Sequence, residues 1–490
     1  MRVLLVSPSS VDAGPAGSGG VAGYAGDLAA ALAELGHTVA VVSSGHRYRP
    51  GVVGRSPGRC LAFSLPAIGG IRRYEILNSP VLSPAIWQFG APKDEASNRR
   101  IERAFADVLA RFRPDAVHIH GFEGFTAGIV QCTKRFGAVC FVSVHNYHAF
   151  CPQVYLMRGR REPCHDYDGG RACETCEACI DIPAERARRA SPAERPPPAI
   201  DPPPLPPIQR FDEQGRPTAA TRALWSYDHP HWQPLDEDRL DPAAAGRVAG
   251  RYGQRRAAFV DALNRADGVL AVSSRVATIT AAMGVDPARL RVMPIGSWAA
   301  GADRPISPPG DDSVLRLVFV GFNNYYKGLP MLVDALGLLS PSFQRRVHLA
   351  AFGRGCLSIR ERAEALRPGL AGLELADTYR RETLPELFDG RHAGVVPSVW
   401  SDNGPQTAIE MRALGLPVLG ARAGGIPEII GDGREGLLFR ANDRCDLACT
   451  IAKVIDRPET LTDLRALCRP WRAMSGHAQD LCGLYDAALS

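Results

Sequence analysis

The 490-residue chain has no apolar run long enough to cross a membrane. Its longest runs, such as Val39–Val42 and Leu317–Val320, fall far short of the roughly 20 residues that a spanning helix needs. It also lacks the succession of basic region, apolar segment and small-residue cleavage site that marks a secretory signal. Met1-Arg2-Val3-Leu4-Leu5-Val6 runs straight into a strand, so a cytoplasmic protein is expected. Charge of one sign is scarce as well. The balance is 57 − 52 = +5, which argues against a dedicated nucleic-acid binder and weakly favours anionic ligands. With 45% hydrophobic and 22% charged residues, the composition excludes a wholly disordered or collagen-like chain.

What is abundant is unevenly placed. There are 40 prolines, 49 glycines and 13 cysteines, and five of the cysteines lie between Cys151 and Cys179. Length alone suggests about three domains or two large ones. The first 150 residues alternate between strands and helices. Strands are expected at Arg2–Ser7, Thr38–Ser43, Asp115–His120 and Ala138–His145, and helices at Tyr24–Leu35 and Asn98–Phe112. From Cys151 to about Gly250 periodicity is lost, and nine of the sixteen residues from Pro192 to Pro207 are proline. That stretch cannot belong to a core. A helix over Arg255–Arg265, a strand at Gly268–Ser273, a helix after Ser274 and a strand at Arg291–Ile295 complete the first series. Residues 299–312 read as a linker.

A second series follows, with strands at Leu315–Val320, Val347–Phe352, Gly394–Pro397, Pro417–Ala421 and Gly436–Phe439. Its helices lie near Leu329–Leu339, Ile359–Leu366, Gln406–Leu414, Gly425–Ile430 and Asp446–Ile455. Apolar strands between helices indicate parallel sheets covered on both faces. The fold class is α/β: two doubly wound, Rossmann-like domains facing across a crevice, the first carrying a Cys-rich and Pro-rich insertion. The expected boundaries are 1–298, with the insertion at 151–250, then 313–470, then a helix at 471–490 packing back on the first domain.

The strongest chemical signal runs from Val395 to Glu410. A strand ends, a polar loop Ser401-Asp402-Asn403-Gly404 follows, and a helix begins near Pro405. Its free N–H groups and dipole make an anion site. Asp402 precedes the helix and Glu410 lies in its second turn; across a diphosphate sugar they could hold the sugar and ribose hydroxyls. The bland alternative is an ordinary helix start with a solvated Glu. Ala423-Gly424-Gly425-Ile426-Pro427-Glu428 repeats the logic more weakly.

Taken with Gly321-Phe322-Asn323-Asn324-Tyr325-Tyr326-Lys327-Gly328 after the first strand of the second domain, the pattern resembles the retaining glycosyltransferases of family 4, which have the two-domain GT-B fold. It looks like a subgroup with a Cys-rich loop and an Asp-Asn-x-Pro-Gln-x-Ala-Ile-Glu motif. The resemblance implies a nucleotide-diphosphate sugar donor and a hydroxyl acceptor, either a polysaccharide intermediate or a secondary metabolite. Lys327 would contact the donor diphosphate, Glu410 the ribose and Asp402 the donor sugar. Gly321, Asn403, Gly404, Pro405, Gln406, Thr407 and Gly425 would line the donor. Gly19, Gly20 and His120 would face the diphosphate and acceptor, and His145 the reaction centre. The family's usual Arg after the first glycine is here Phe322, and its first acid is shortened to Asp402. No catalytic cofactor is implied, because helix starts and Lys327 can stabilise the departing diphosphate without a metal. Asp236-Glu237-Asp238 follows no strand and reads as solvated charge. Peripheral membrane contact is left open.

The cysteines Cys164, Cys173, Cys176 and Cys179 offer four soft ligands within 16 residues, a spacing that suits a structural Zn. An iron–sulfur cluster and free thiols in a loop are the alternatives. Within enzymes, the rival is a sugar-phosphate glycosyltransferase of the disaccharide-phosphate synthase type. Further off lies a metal-cluster oxidoreductase, opposed by Ser43-Ser44-Gly45 where a dinucleotide site needs an acid. A non-catalytic scaffold is opposed by Lys327, Asp402, Glu410 and His145.

Overall fold

The computed structural model describes residues 1–11, 14–48, 59–83, 91–158, 162–164, 168–176, 246–301, 306–310, 313–366 and 369–490. Cys179, the Pro-rich stretch and Asp236–Asp238 lie outside the described residues. The rest divides into two compact units, one containing the described residues up to Gly296 together with Met474–Ser490, the other Ser297–Ala473.

The first unit contains β1 (Arg2–Val6), α1 (Gly14–Glu34), β2 (Thr38–Ser44), β3 (Leu61–Ile68), β4 (Ile71–Leu77), α2 (Arg99–Phe112), β5 (Ala116–Ile119), α3 (Gly128–Phe136) and β6 (Val139–Val144). A two-residue hairpin follows, β7 (Met157–Arg158) and β8 (Glu162–Pro163), then α4 (Gly250–Arg265), β9 (Gly268–Ala271), α5 (Ser274–Ala282) and β10 (Leu290–Val292). The main sheet has the order β10-β9-β6-β5-β1-β2-β4-β3 and is parallel except for β3 against β4. Val3 to Val6 are fully buried, as a strand covered on both faces requires. In α2, Ile101, Phe105, Val108, Leu109 and Phe112 are buried on one side. Asn98 caps the start of α2 through the Arg100 N–H, which satisfies one of the helix's orphan donors.

The hairpin of β3 and β4 is absent from the sequence reading. Its strands carry Pro66, Arg72, Arg73 and Glu75, and much of β3 is exposed, so no apolar run announces it. It forms the sheet's edge, where a proline is tolerated. The helix Met474–Leu489 packs on α1, and Tyr485 sets its ring 5.3 Å from that of Phe141 on β6.

The second unit has β11 (Leu315–Val320), α6 (Leu329–Gly337), β12 (Val347–Phe352), α7 (Arg360–Leu366), β13 (Gly372–Ala376), β14 (Ala393–Val396), α8 (Gln406–Ala413), β15 (Val418–Arg422), β16 (Gly436–Arg440) and α9 (Arg444–Asp456). Its sheet is parallel throughout, in the order β13-β12-β11-β14-β15-β16. β13 is the one strand not expected here; its half-exposed Gly372-Leu373-Glu374-Leu375-Ala376 has too little apolar content to stand out. In both sheets the order reverses at the first strand, β1 or β11. That is where a doubly wound sheet opens a ligand crevice at its carboxyl edge.

The segment after β6 is tied down by a buried ion pair. Arg255 on α4 donates to Glu95 at 2.5 Å and to the carbonyl of His148 at 2.7 Å, and stacks 4.6 Å over Phe259. Burial alone would raise the Glu95 carboxyl, but Arg255 and His148 bring it below its ordinary value. Arg255→Met should cost about 3–5 kcal/mol, because it strands a buried carboxylate. Urea denaturation checks this, and an unchanged midpoint would reject the pair as an anchor.

Candidate functional site

In the second unit, four loops leave the carboxyl ends of β11, β12, β14 and β15. The loop after β11 ends in a 3-10 turn at Tyr325–Lys327, capped by Asn324, whose side chain accepts from the Lys327 N–H at 2.9 Å. Gly328 closes it at φ +76, and a Cβ there would lie 1.8 Å from the Pro397 carbonyl oxygen. Only glycine permits this approach, and it brings Lys327 beside the loop after β14.

That loop holds Asp402. Its Oδ2 accepts from Lys327 Nζ at 2.8 Å and from the Ser398 hydroxyl at 2.8 Å. Asp402 is 3% exposed, whereas the lysine side chain keeps 30% of its surface. The pair is thus a buried anion with its cation on the rim. The Gly425 N–H donates to the Asp402 carbonyl at 2.7 Å, and Gly424, at φ +54, lets the two backbones touch. The glycine turn before Ile426 therefore supports the Asp402 loop with the amide expected to face the donor.

Pro405 precedes α8, and its carbonyl takes the Ala408 and Ile409 N–H groups. The N–H groups of Gln406 and Thr407 have no acceptor among the described residues. They are two donors at the positive end of a helix dipole. Asn403 is buried beside them and Gly404 half-buried. Glu410 lies in the second turn of α8, 4% exposed. Its Oε1 accepts from Trp298 Nε1 at 2.9 Å and from Arg381 Nε at 3.1 Å, while Arg381 stacks 5.2 Å over the Trp298 ring. Neither Trp298 nor Arg381 was singled out from the sequence; no local motif marks either, and they lie 112 and 29 residues from Glu410 along the chain.

Gly321 follows directly on β11, and Phe322 comes next. The Arg354 guanidinium, from the loop after β12, lies 4.8 Å over the Phe322 ring. Among the described residues Arg354 is exposed and pairs with no carboxylate.

In the first unit, the residues singled out collect at the carboxyl ends of β5 and β6. His120 Nδ1 and His145 Nε2 are 3.2 Å apart. His118 bridges Ser143 at 2.8 Å and Tyr485 at 2.5 Å. Tyr24 of α1 lies 4.8 Å from the His145 ring and exchanges a hydrogen bond of 2.7 Å with His477. Gly19, at φ +72, kinks α1, and Gly20 is exposed just after the kink. His477 and Tyr485 went unnoticed because they lie hundreds of residues from their partners. Burial lowers the His118 and His120 imidazoles well below their ordinary value, assisted by the neighbouring rings, and lowers His145 to about 3. At neutral pH these imidazoles are uncharged, each able to donate one hydrogen bond and accept another, which suits a sugar hydroxyl better than a phosphate.

Because the folded chain keeps these imidazoles neutral, it binds fewer protons than the unfolded chain below pH 6.5. Stability should therefore fall with acidification, by about 1.4 kcal/mol per pH unit for each of the fully buried His118 and His120. A melting series from about pH 7.5 to about pH 5.5 checks it, and a flat profile would contradict it.

Among the described residues no helix is long and apolar enough to cross a membrane. Residues 19–177 match the model of the glycosyl transferase 4-like domain, and residues 315–457 that of glycosyl transferases group 1. The chain is 29% identical over 199 residues to D-inositol 3-phosphate glycosyltransferase of Geodermatophilus obscurus, covering 36% of this chain and 43% of that protein. It is 29% identical over 240 residues to alpha-maltose-1-phosphate synthase of Mycolicibacterium smegmatis, covering 44% and 60%. The chain thus spans about half the length of the curated relatives it matches. Sucrose-phosphate synthase from Thermosynechococcus elongatus shares the fold over 100% of this chain and 99% of that one, with a TM-score of 0.61 at 15% identity.

Proposed function

We propose that this chain, which carries a glycosyl transferase 4-like domain and a group 1 domain on a GT-B fold, moves a sugar from a nucleotide-diphosphate donor to a hydroxyl acceptor with retention of configuration. One observation carries the reading: a lysine, a buried aspartate, a buried glutamate and two free helix-start amides gather at one sheet edge. Departure of a sugar leaves negative charge on the diphosphate. Lys327 and the Gln406 and Thr407 amides supply positive potential for it without rearranging. On donor binding Lys327 exchanges the Asp402 carboxylate for phosphate oxygens. Asp402 is then free to accept from a sugar hydroxyl, and Glu410, oriented by Trp298 and Arg381, from the ribose.

Arg354 completes the set. Position 322 carries an aromatic ring where the family resemblance implies an arginine, and that ring is the platform on which Arg354 stacks. The guanidinium thus reaches the same sheet edge from the neighbouring strand. Retention fits attack on the face the diphosphate leaves, with the leaving phosphate taking the acceptor proton. In the first unit, His145 would hold a sugar hydroxyl by hydrogen bonding.

The relatives named for D-inositol 3-phosphate transfer and alpha-maltose-1-phosphate synthesis support a second reading, with a phosphorylated acceptor. Soluble nucleotide sugars are expected to serve as donors, and the cytoplasm to be the compartment.

A panel of nucleotide sugars, scored for binding and slow hydrolysis, tests the donor claim; failure of every nucleoside diphosphate to bind would sink it. Lys327→Ala should lower transfer about 10²–10³-fold with the fold intact. Arg354→Ala should weaken nucleoside diphosphate binding about tenfold, one charge-assisted contact, and adding Phe322→Arg should restore it. Wild-type binding by Arg354→Ala, or no recovery in the double variant, would remove Arg354 from the donor set. Inverted product stereochemistry by NMR would exclude retention.

A further inference from the structure

The first unit contains a second chemical cluster that glycosyl transfer does not use. Cys151, Cys164, Cys173 and Cys176 line one cavity, together with Pro152, Gln153, Met157 and Arg158. All four thiols are unoxidised. They reach the cavity from three places: the turn after β6, the end of the β7–β8 hairpin, and the short helix Arg171–Glu174 with the turn behind it. Cys173 lies in the electrostatic field of the other three, Cys164 in that of Cys151 and Cys176, and Cys151 in that of Cys176. Among the described residues no three ligand side chains are already close enough together to hold a metal, and the four cysteines line the cavity wall.

Burial pushes the Cys151, Cys164 and Cys173 thiols up, so without a metal they rest protonated, and polar groups beside them offset part of that cost. The backbone N–H groups of Gln153 and Leu156 donate to the Cys151 sulfur. The Gln153 side chain donates to the Cys176 sulfur at 2.6 Å. Amides two and more residues past a cysteine, aimed back at its sulfur, act as the outer partners that orient a metal's ligands. Four thiolates around one divalent ion leave a net charge of about −2, which burial penalises unless cations are near. Arg255 bears on Cys151 and Cys173, and Arg256 and Arg158 on Cys164. Arg255 and Arg256 are themselves only 1% and 3% exposed.

We propose that Cys151, Cys164, Cys173 and Cys176 together bind one Zn2+ ion, a structural staple in the first unit. Binding would draw the sulfurs inward from the cavity wall, and each thiol that enters the metal's shell would release a proton. Cys151 thereby takes the place that spacing alone would give to Cys179. The staple locks the turn after His145 to the hairpin and to the helix Arg171–Glu174. That helix is already joined to α4 by Glu174 and Arg251 at 2.5 Å and, just before it, by the Gly169 carbonyl and the Ala249 N–H at 2.6 Å. The metal would thus complete a path from the candidate reaction-centre histidine to a core helix.

Elemental analysis of the full chain, purified without chelator, tests this independently of the donor site. About one zinc per chain is expected, lost in Cys151→Ser and in Cys176→Ser but kept in Cys179→Ser and in Cys60→Ser. Metal-free wild-type protein, iron with sulfide in place of zinc, or loss in Cys179→Ser with retention in Cys151→Ser would overturn the assignment. Should the serine variants fail to fold, the unsubstituted protein answers instead. After chelation, Co2+ should give the intense absorption of a tetrahedral thiolate site, and zinc should restore protection from proteolysis between Cys151 and Cys176. A weak octahedral spectrum with unchanged proteolysis would reject the site.

Discussion

A parallel strand buried on both faces has only its ends free for chemistry. Its flanks are committed to packing and its backbone to the ladder, so a functional side chain must sit where the strand stops. β11, β12, β14 and β15 each release a loop at the same sheet edge. Lys327, Arg354, Asp402 and the Gly424–Gly425 turn stand on those loops. β5 and β6 do the same for His120 and His145. The donor reading depends on this constraint more than on any single side chain.

Within it, the Asp402 loop is held from several sides. The Gly425 amide grips the Asp402 carbonyl, the Ser398 hydroxyl grips its carboxylate, and Gly328 lets the Lys327 turn press on Pro397. Glu410 is fixed separately, by an indole and a guanidinium that also stack on each other. Such over-determination holds both carboxylates in place, while the Lys327 side chain keeps 30% of its surface. Under the donor reading, a fixed anion beside a partly exposed cation suits exchange with an incoming phosphate.

How much of this was legible beforehand follows from range and contrast. β11 and β12 were readable to the residue because Leu315–Val320 and Val347–Phe352 are apolar runs bounded by polar turns. The loop-then-helix signal of Asp402 to Glu410 was readable because it is local. β13 and the β3–β4 hairpin were not, since strands with a solvated face and charged residues give no contrast. Trp298, Arg381, Arg354 and His477 were invisible for a different reason. Their meaning comes from partners that the fold brings near, and no spacing rule connects them. The cysteine cluster shows the second effect: the fold brings Cys151 to the cavity with Cys164, Cys173 and Cys176, a placement that spacing alone did not give.

The helix Met474–Leu489 has a consequence for the order of assembly. It fills a place in the first unit, joining His477 to Tyr24 across 453 residues and Tyr485 to His118 across 367. Ribosomal synthesis delivers the whole second unit before that helix appears. The second unit can therefore finish folding while the first still lacks the residues that cover its inner histidines. The unit made first is completed last, by the docking of a helix that closes a loop of several hundred residues.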